Sequence, residues 1–383
     1  MKILIAGDWH SALHEEPMFR ALRSLGHDVH RFSWHEYFQT APGLRYAVTR
    51  LWRRVENRFL VGPELKRINR DLVALAERID PELVFIYRGT HIHSSTLDRL
   101  RRKLLRAVIV GYNNDDPFSP LYPRWLWRHF RRSIPHYDLV LAYRHANLAD
   151  LRAAGARRVE LLRSWFVPEH HHPVAEDDAH SLDPYRTEVV FIGHYENDGR
   201  LECLEAIAAA GIPLRIFGPG YDWDPVLRNS PGLRHLGPVH LVWGPDYTRA
   251  LCGAKIALCF LSTLNRDTYT RRCFEIPATG TFMLAQNSAD LATLFREGEE
   301  AELFRSPEEL VAKIERYRAQ DETRRAVARA GLERVRRDGH DVVSRMRTLL
   351  QWVERVRSER TVATPAGGAA GWCARAASPG SSS

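Results

Sequence analysis

The stretch NRDTYTRRCFEIPATGTFMLA, residues 265–285, decides the fold of this chain. It predicts an arginine-rich polar loop, then a short helix that ends at a glycine, and then a buried strand. The apolar run 255–261 before it suits a parallel strand that is covered on both faces. A strand, loop, helix and strand in this order are typical of a doubly wound α/β sheet, in which ligands bind at the carboxyl ends of strands. Arg266, Arg271 and Arg272 suit an anion. Glu275 suits a pair of hydroxyls, so we expect a phosphorylated sugar or a nucleotide here.

The same alternation of strands and helices occurs twice in the 383 residues, whose hydrophobic content of 44% is enough for two full-sized cores. Residues 1–165 predict a first Rossmann-like domain and residues 188–340 predict a second one. A closing helix is predicted at 341–358. The Ala/Gly/Pro/Ser-rich tail at 359–383 has too little apolar content to order itself, so we predict that it is disordered.

Residues 166–187 are predicted to form the linker between the domains, because Pro168, three consecutive histidines at 170–172 and several acids interrupt the periodicity. The histidines could be metal ligands, but a polar loop is the commoner reason for such a run in a linker. The five cysteines are odd in number, and no two of them are separated by only two residues. We therefore predict neither a disulfide framework nor a zinc site.

Charge is unevenly distributed along the chain. Residues 1–170 contain 28 Lys/Arg against 18 Asp/Glu, whereas the remainder contains 27 against 29. A basic first half suits an anionic membrane surface or an anionic acceptor, although solvated helix faces are the alternative. No helix-turn-helix, zinc finger or aromatic strand motif points to nucleic acid. Because no apolar run approaches the ~20 residues of a membrane span and the N-terminus lacks the features of a signal peptide, we predict a cytoplasmic protein, with peripheral contact at the inner membrane surface as an option.

Further residues of the second domain are candidates for binding the same ligand. Gly193 and Arg200 lie at the turn from a buried strand into a helix, which suits an anion, although a plain strand–helix turn is the alternative. Gly218 lies at a sharp strand exit beside the predicted cleft. Asp267 and Glu275 could face one pocket, where a carboxylate commonly binds ribose hydroxyls. An exposed acid at the start of a helix is the alternative for Glu275.

Candidates for chemistry on the acceptor follow strands of the first domain. Asp8, His10 and His14 come after the first strand, and Asp115 lies in the polar cluster after a later strand. A histidine or an aspartate at these positions could deprotonate an acceptor hydroxyl. Acceptor binding and helix capping are the alternative roles.

Five segments together resemble the GT-B glycosyltransferases, and most closely their CgeB-type, spore-maturation branch. The resemblance covers about residues 1–355 and is most specific within 265–310. The segments are EIPATGTFML at 275–284, LFREG at 294–298, SPEEL at 306–310, YNNDDPFS at 112–119 and AYRHANL at 142–148.

The resemblance implies two Rossmann-like domains that face each other across a cleft and are followed by C-terminal helices. The second domain would bind a nucleotide-diphosphate sugar and the first would bind the acceptor. Glu275 matches the glutamate that grips the ribose. Asp267 matches the first acidic position of the family's E-x7-E pattern, as aspartate. His14 resembles the catalytic histidine of inverting relatives in its spacing.

For the diphosphate, the resemblance points to a loop that includes Gly193 and Arg200. His194 stands where related retaining enzymes have an arginine, so Arg271 or Arg272 is expected to share the phosphate contacts. GT-B enzymes generally use no metal bridge to the diphosphate. We therefore expect no metal and no cofactor, with the nucleotide sugar as co-substrate.

These observations together predict a glycosyltransferase of the hexosyltransferase type. It would move a sugar from a nucleotide-diphosphate donor to a hydroxyl on a glycan, a lipid carrier or a protein in cell-surface glycan or polysaccharide biosynthesis. A GT-B-like nucleotide-sugar epimerase and a non-catalytic nucleotide-sugar-binding scaffold are the alternatives. The donor base, the sugar, the acceptor and the anomeric outcome stay open at this point.

Overall fold

Two parallel sheets organise the fold, which a computed structural model describes for residues 1–11, 13–39 and 47–363. The central strands of both sheets are buried along almost their whole length, so helices and loops cover both faces of each sheet. The predicted α/β architecture with two Rossmann-like halves is confirmed.

The first sheet has six strands in the order 2-1-3-4-5-6, all of them parallel. Since the order reverses between the first and third strands, the switch point of this sheet lies there. The strands are β1 Lys2–Gly7, β2 Asp28–Ser33, β3 Leu83–Tyr87, β4 Val108–Asn113, β5 Leu139–Ala142 and β6 Val159–Leu161.

The second sheet has five parallel strands in the order 11-10-9-7-8. Its order reverses between the seventh and ninth strands, which places a second switch point at their carboxyl ends. The strands are β7 Thr187–Ile192, β8 Leu214–Phe217, β9 Ala254–Cys259, β10 Phe282–Gln286 and β11 Glu302–Phe304.

Helices connect the strands and close the chain. Those of the first half are α1 Glu15–Ser24, α2 Ala47–Phe59, α3 Pro63–Ile79, α4 Ser94–Lys103, α5 Arg128–Ser133 and α6 His145–Ala153. Those of the second half are α7 Arg200–Ala209, α8 Gly220–Asn229, α9 Pro245–Cys252, α10 Arg272–Ala278, α11 Ala289–Leu294, α12 Pro307–Ala319, α13 Asp321–Arg337 and α14 Val342–Ala363. Within the described residues, none of them combines the length and the apolar character that a bilayer span requires.

The chain crosses between the halves twice, and the two crossings lie side by side. Phe166 donates its N–H to the carbonyl of His340 at 3.0 Å and accepts from the N–H of Val342 at 3.0 Å. From there α14 returns to the first half and packs against α1. The last helix therefore ties the C-terminal end of the described chain to the N-terminal sheet.

Several elements differ from the sequence-based expectations. The sequence pattern predicts a helix over 122–133, but the helix is confined to Arg128–Ser133. It also predicts one helical run over 307–357, which divides into three helices. The glycine- and aspartate-rich passage after Gly218 predicts a loop, but it forms α8 despite Pro225 within it. Of the tail predicted to be disordered, residues 364–383 lie outside the described residues.

Candidate active site

The carboxyl ends of the two sheets face each other, and both switch points lie on this side. In the first sheet, β1 ends at Gly7 and β3 at Tyr87; in the second, β7 ends at Ile192 and β9 at Cys259. The stretch 265–275 leaves β9 at this edge and contacts both halves of the chain. It therefore runs through the cleft rather than along one wall of it.

The first part of this stretch joins the two halves by ion pairs. Arg266 pairs with the buried Asp116 and, at 2.6 Å, with Asp150. Asp267 Oδ1 accepts from Nε of the buried Arg144 at 2.5 Å. Burial raises the pKa of Asp267 to about 6, and the Arg144 guanidinium opposes that rise. The Asp267 carboxylate is thus engaged between the two halves, and its sugar contact stays a prediction.

Arg271 also reaches across the cleft. Its Nη1 donates to the carbonyl of Leu13 at 2.8 Å, and its Nη2 lies 2.7 Å from His14 Nδ1. The Tyr87 hydroxyl is 3.2 Å from the same nitrogen. Burial lowers the pKa of His14 well below 6.5, and the positive charges of Arg271 and Arg88 lower it further. Because an arginine can only donate, a neutral His14 accepts at Nδ1 and carries its proton on Nε2. His14 thus presents a hydrogen-bond donor rather than a base.

Glu275 lies in a buried polar cluster one turn after Arg271. Glu275 is only 5% exposed, and its Oε2 accepts a hydrogen bond from the Tyr247 hydroxyl at 2.7 Å. Its Oε1 is 3.8 Å from both Arg271 Nε and His171 Nε2, which is beyond hydrogen-bond distance. One carboxylate oxygen is therefore held in place, while the other retains its capacity to accept from a ligand hydroxyl.

Arg272 lies against the turn that follows β7. A Cβ added to Gly193 would come within 2.9 Å of Arg272 Nη2, so the guanidinium lies directly against the backbone of this turn. Arg272 Nε is buried and has no hydrogen-bond partner among the described residues. Burying a hydrogen-bond donor without a partner costs free energy unless another group accepts from it. The arrangement is that of a cationic site for an anion at the switch point of the second sheet.

The Arg200 guanidinium, in contrast, binds groups of its own loop. Its guanidinium binds the Asp198 carboxylate through Nε at 2.7 Å and through Nη2, and it donates to the carbonyl of His194 at 2.6 Å. It is 4% exposed. The Arg200 guanidinium therefore holds the loop after Gly193, and its phosphate contact stays a prediction.

Gly218 is constrained by close packing at the end of β8. A Cβ at this position would lie 2.2 Å from the carbonyl oxygen of Gly193 and 2.7 Å from Nε1 of the buried Trp223. The same Trp223 Nε1 donates to that carbonyl at 2.7 Å. Gly218 thus allows close packing at the end of β8, and its ligand contact stays a prediction.

We expect Gly218→Ala to lower the free energy of unfolding by about 2 kcal/mol, since overpacking a tight site typically costs about 1–3 kcal/mol. Chemical denaturation measured by tryptophan fluorescence checks this. Gly232→Ala is the matched control, because the nearest atom to its added Cβ would be 3.9 Å away. Equal stability of the two variants would contradict the packing argument.

The remaining predicted residues of the first half lie at its carboxyl edge. His10 is exposed, and its ring centroid is 5.1 Å from that of His35. Asp115 Oδ2 accepts from Arg88 Nη2 at 2.5 Å. Neither residue contacts His14 directly, so the three do not form one hydrogen-bonded set.

Two residues of the site were not predicted from the sequence. Tyr247 is in α9 and no local pattern marks it. His171 was interpreted as part of a polar loop, yet it is buried beside Glu275, and its Nδ1 accepts the N–H of Val167 at 2.9 Å. Its burial depends on how the crossing between the halves folds over α9, which the sequence does not show.

A metal site is not apparent in the part of the chain that the structure describes, since no group of three or more His, Cys, Asp or Glu side chains is suitably arranged. Both carboxylates of the Asp-x-Asp sequence at 222–224 contact other residues of the protein. Asp222 is 2.9 Å from His194 Nδ1, and Asp224 accepts the N–H of Val239 at 2.9 Å.

Comparison with known proteins gives a family match to part of the chain and solved structures that share its fold. Residues 200–351 match a family described as glycosyl transferase-like. That span includes Arg272 and Glu275, and the match agrees with the glycosyltransferase character predicted for the second domain. No curated protein matches the chain.

Solved structures match over nearly the whole chain. Anabaena HepE, in complex with UDP and glucose, has a TM-score of 0.67 at 14% identity, over 93% of this chain and 100% of that chain. Sucrose-phosphate synthase from Thermosynechococcus elongatus has a TM-score of 0.67 at 14% identity, over 94% and 100%. The α,α-trehalose 6-phosphate synthase from Burkholderia multivorans has a TM-score of 0.60 at 12% identity, over 95% and 99%. The predicted GT-B fold is confirmed.

Proposed function

We propose that this chain is a glycosyltransferase that moves a sugar from a nucleotide-diphosphate donor to a hydroxyl acceptor. The observation that carries the proposal is the Arg272 guanidinium, whose buried Nε has no described partner and which lies against Gly193, one helical turn before the half-free carboxylate of Glu275. An anion subsite next to a hydroxyl subsite suits a nucleoside diphosphate. The shared fold with HepE, which was solved with UDP and with UDP-glucose, supports this ligand class.

In the proposed complex, Glu275 Oε1 accepts hydrogen bonds from the ribose while Tyr247 holds Oε2. Arg272 binds the diphosphate, with Gly193 providing the close approach. Charge develops on this diphosphate as the bond to the sugar breaks, and a fixed guanidinium in a site with little water stabilises that charge. We therefore propose transfer without a metal ion.

The first half would supply the acceptor side. We propose that His14, held by Arg271, donates from Nε2 to an oxygen of the sugar or of the leaving group. His10 and Asp115, at the carboxyl ends of β1 and β4, are proposed to contact the acceptor. Because Arg271 bridges His14 and the Glu275 cluster, the two halves of the site are coupled directly.

We further propose a hexose as the transferred sugar and a glycan, lipid carrier or protein as the acceptor, within cell-surface glycan or polysaccharide biosynthesis. Support comes from the five segments that resemble the CgeB-type branch. A cytoplasmic location, with contact to the inner membrane surface, fits the basic first half of the sequence.

A panel of nucleotide sugars tests the proposal, with UDP-sugars first. Binding should raise the unfolding temperature, and candidate acceptors should then yield a glycosylated product detectable by mass spectrometry. Incubation with donor alone distinguishes an epimerase, which would return a changed sugar without any acceptor. A protein that binds the donor but neither transfers nor hydrolyses the sugar would be the non-catalytic scaffold.

The pH dependence of transfer should show the neutral state of His14. Its pKa is lowered by burial and by neighbouring arginines, so the ring stays neutral as the pH falls through 6.5. Protonation of Nδ1 at lower pH would expel Arg271, and the same shift makes the folded state less stable as the pH decreases below 6.5. We expect kcat/KM to stay level from about pH 8 to below 6.5 and then to fall. A loss of activity centred at or above 6.5 that His14→Asn abolishes would contradict this.

A further inference from the structure

The helix α2 carries its apolar side chains on its outer surface. Leu51, Trp52, Val55 and Phe59 are 65%, 59%, 36% and 42% exposed, and Val61 just beyond the helix is 46% exposed. Their spacing places the four helical residues on one stripe. We call these five residues the α2 face. A helix that packs onto a core turns such a stripe inward, so this orientation needs another explanation.

The polar side of α2 is the side that faces the protein. Glu56 is 2% exposed, Asn57 Oδ1 is 2.9 Å from His91 Nε2, and Arg53 Nη1 donates to the carbonyl of Gln39 at 3.2 Å. Arg128 donates to the backbone carbonyls of Phe59 and Leu60 at the end of the helix. These contacts fix the rotation of α2, and the exposure of its apolar stripe follows from them.

Basic residues flank the α2 face. Arg54 and Arg58 are exposed, whereas Glu56, the single acid of the helix, is buried. Aromatic and aliphatic side chains next to arginines are the composition of helices that lie in the interface of an anionic bilayer. A second copy of the chain fits less well, because a two-fold contact through this face would bring like-charged arginines together without an acid between them.

We propose that the α2 face docks on an anionic lipid surface, with Leu51, Trp52 and Phe59 entering the headgroup region and Arg54 and Arg58 binding lipid phosphates. This docking requires neither donor nor acceptor, so it can hold or fail independently of the proposed transfer reaction.

The α2 helix lies near the proposed acceptor side of the first sheet. His91, which α2 contacts, follows β3, and the Phe59 ring centroid is 5.4 Å from that of Trp125, which follows β4. The helix therefore adjoins the carboxyl edge of the first sheet, where the acceptor is proposed to bind. On the premise of the proposed function, a docked protein would hold its acceptor side near lipid-linked substrates.

Co-sedimentation with vesicles tests the docking. The full-length protein should bind vesicles of phosphatidylglycerol mixed equally with phosphatidylcholine, and it should bind pure phosphatidylcholine much more weakly. The double variant Leu51→Ser with Trp52→Ser should bind at least about tenfold more weakly, because it removes two apolar side chains whose burial in the bilayer would favour binding. Arg54→Gln with Arg58→Gln should weaken it about thirtyfold, at ~1 kcal/mol per arginine, and added salt should weaken wild-type binding.

Matched controls lie elsewhere on the first half. Leu105→Ser removes a leucine that is 82% exposed, and Arg102→Gln removes an exposed arginine of α4; both should bind like wild type. The proposal is overturned if wild type ignores the anionic vesicles, or if the α2 variants bind as the controls do. It is also overturned if light scattering shows a dimer that Leu51→Ser with Trp52→Ser dissociates, since a second copy would then occupy the face.

Discussion

Glu275→Gln is expected to lower kcat/KM for the donor about a hundredfold, equivalent to ~2.7 kcal/mol, within the range for hydrogen bonds to a charged group. The substitution keeps the shape of the side chain and an acceptor for Tyr247, but it removes the charge that the ribose hydroxyls would meet. The ribose takes no part in bond breaking, so its contacts are the same in the ground state and the transition state. The loss should therefore appear mainly as a higher KM.

Steady-state kinetics over a range of donor concentrations measure this effect. Glu333→Gln, an exposed carboxylate of α13, is the control and should behave as wild type. Denaturation of both variants shows whether the fold is intact. If Glu275→Gln left KM unchanged in a folded protein, the ribose assignment would be wrong.

Arg272→Ala is expected to lower kcat in addition to weakening donor binding. The negative charge on the departing diphosphate grows in the transition state, so removing the guanidinium should lower kcat by about a hundredfold to a thousandfold, as for other preorganised donors. Arg272→Lys should recover only part of the rate, because an ammonium keeps the charge but lacks the planar pair of N–H donors. Single-turnover measurements at saturating donor isolate this step.

The control is Arg329→Ala, which removes an exposed arginine from α13. The Arg272 side chain makes no hydrogen bond or ion pair with the described residues, so its removal should leave stability nearly unchanged. A variant with wild-type kcat would exclude Arg272 from the diphosphate site. A large loss of stability would instead assign Arg272 a structural role.

The fold could be predicted from the sequence because its strands are short, continuous apolar runs. β3 and β5 are buried at every position, and glycines or polar residues mark their ends. Helix starts with local signals were also predictable, as at Ser306, whose hydroxyl accepts the N–H of Glu309 ahead of α12. α8 was missed because Gly220 and Pro225 are typical of loops, and tertiary packing around the buried Trp223 outweighs that preference.

The site could be predicted only in part, because its pairings are distant in sequence. Arg271 meets His14 across 257 positions, and Arg144 meets Asp267 across 123. No periodicity encodes such contacts. The stretch 265–275 therefore looked like a single ligand-binding loop. In the structure Arg266 and Arg271 bind the opposite half, and Arg272 is the arginine that we propose for the ligand.

Calorimetric titration of nucleotide-diphosphate sugars, UDP-sugars among them, tests the central claim most directly. For at least one of them we expect binding at one site, stabilisation by ~2.7 kcal/mol at a hundred times Kd, and a much weaker affinity in both Arg272→Ala and Glu275→Gln. Undiminished affinity in both folded variants would contradict the proposed site. A wild-type protein that binds no nucleotide sugar would contradict the proposed function itself.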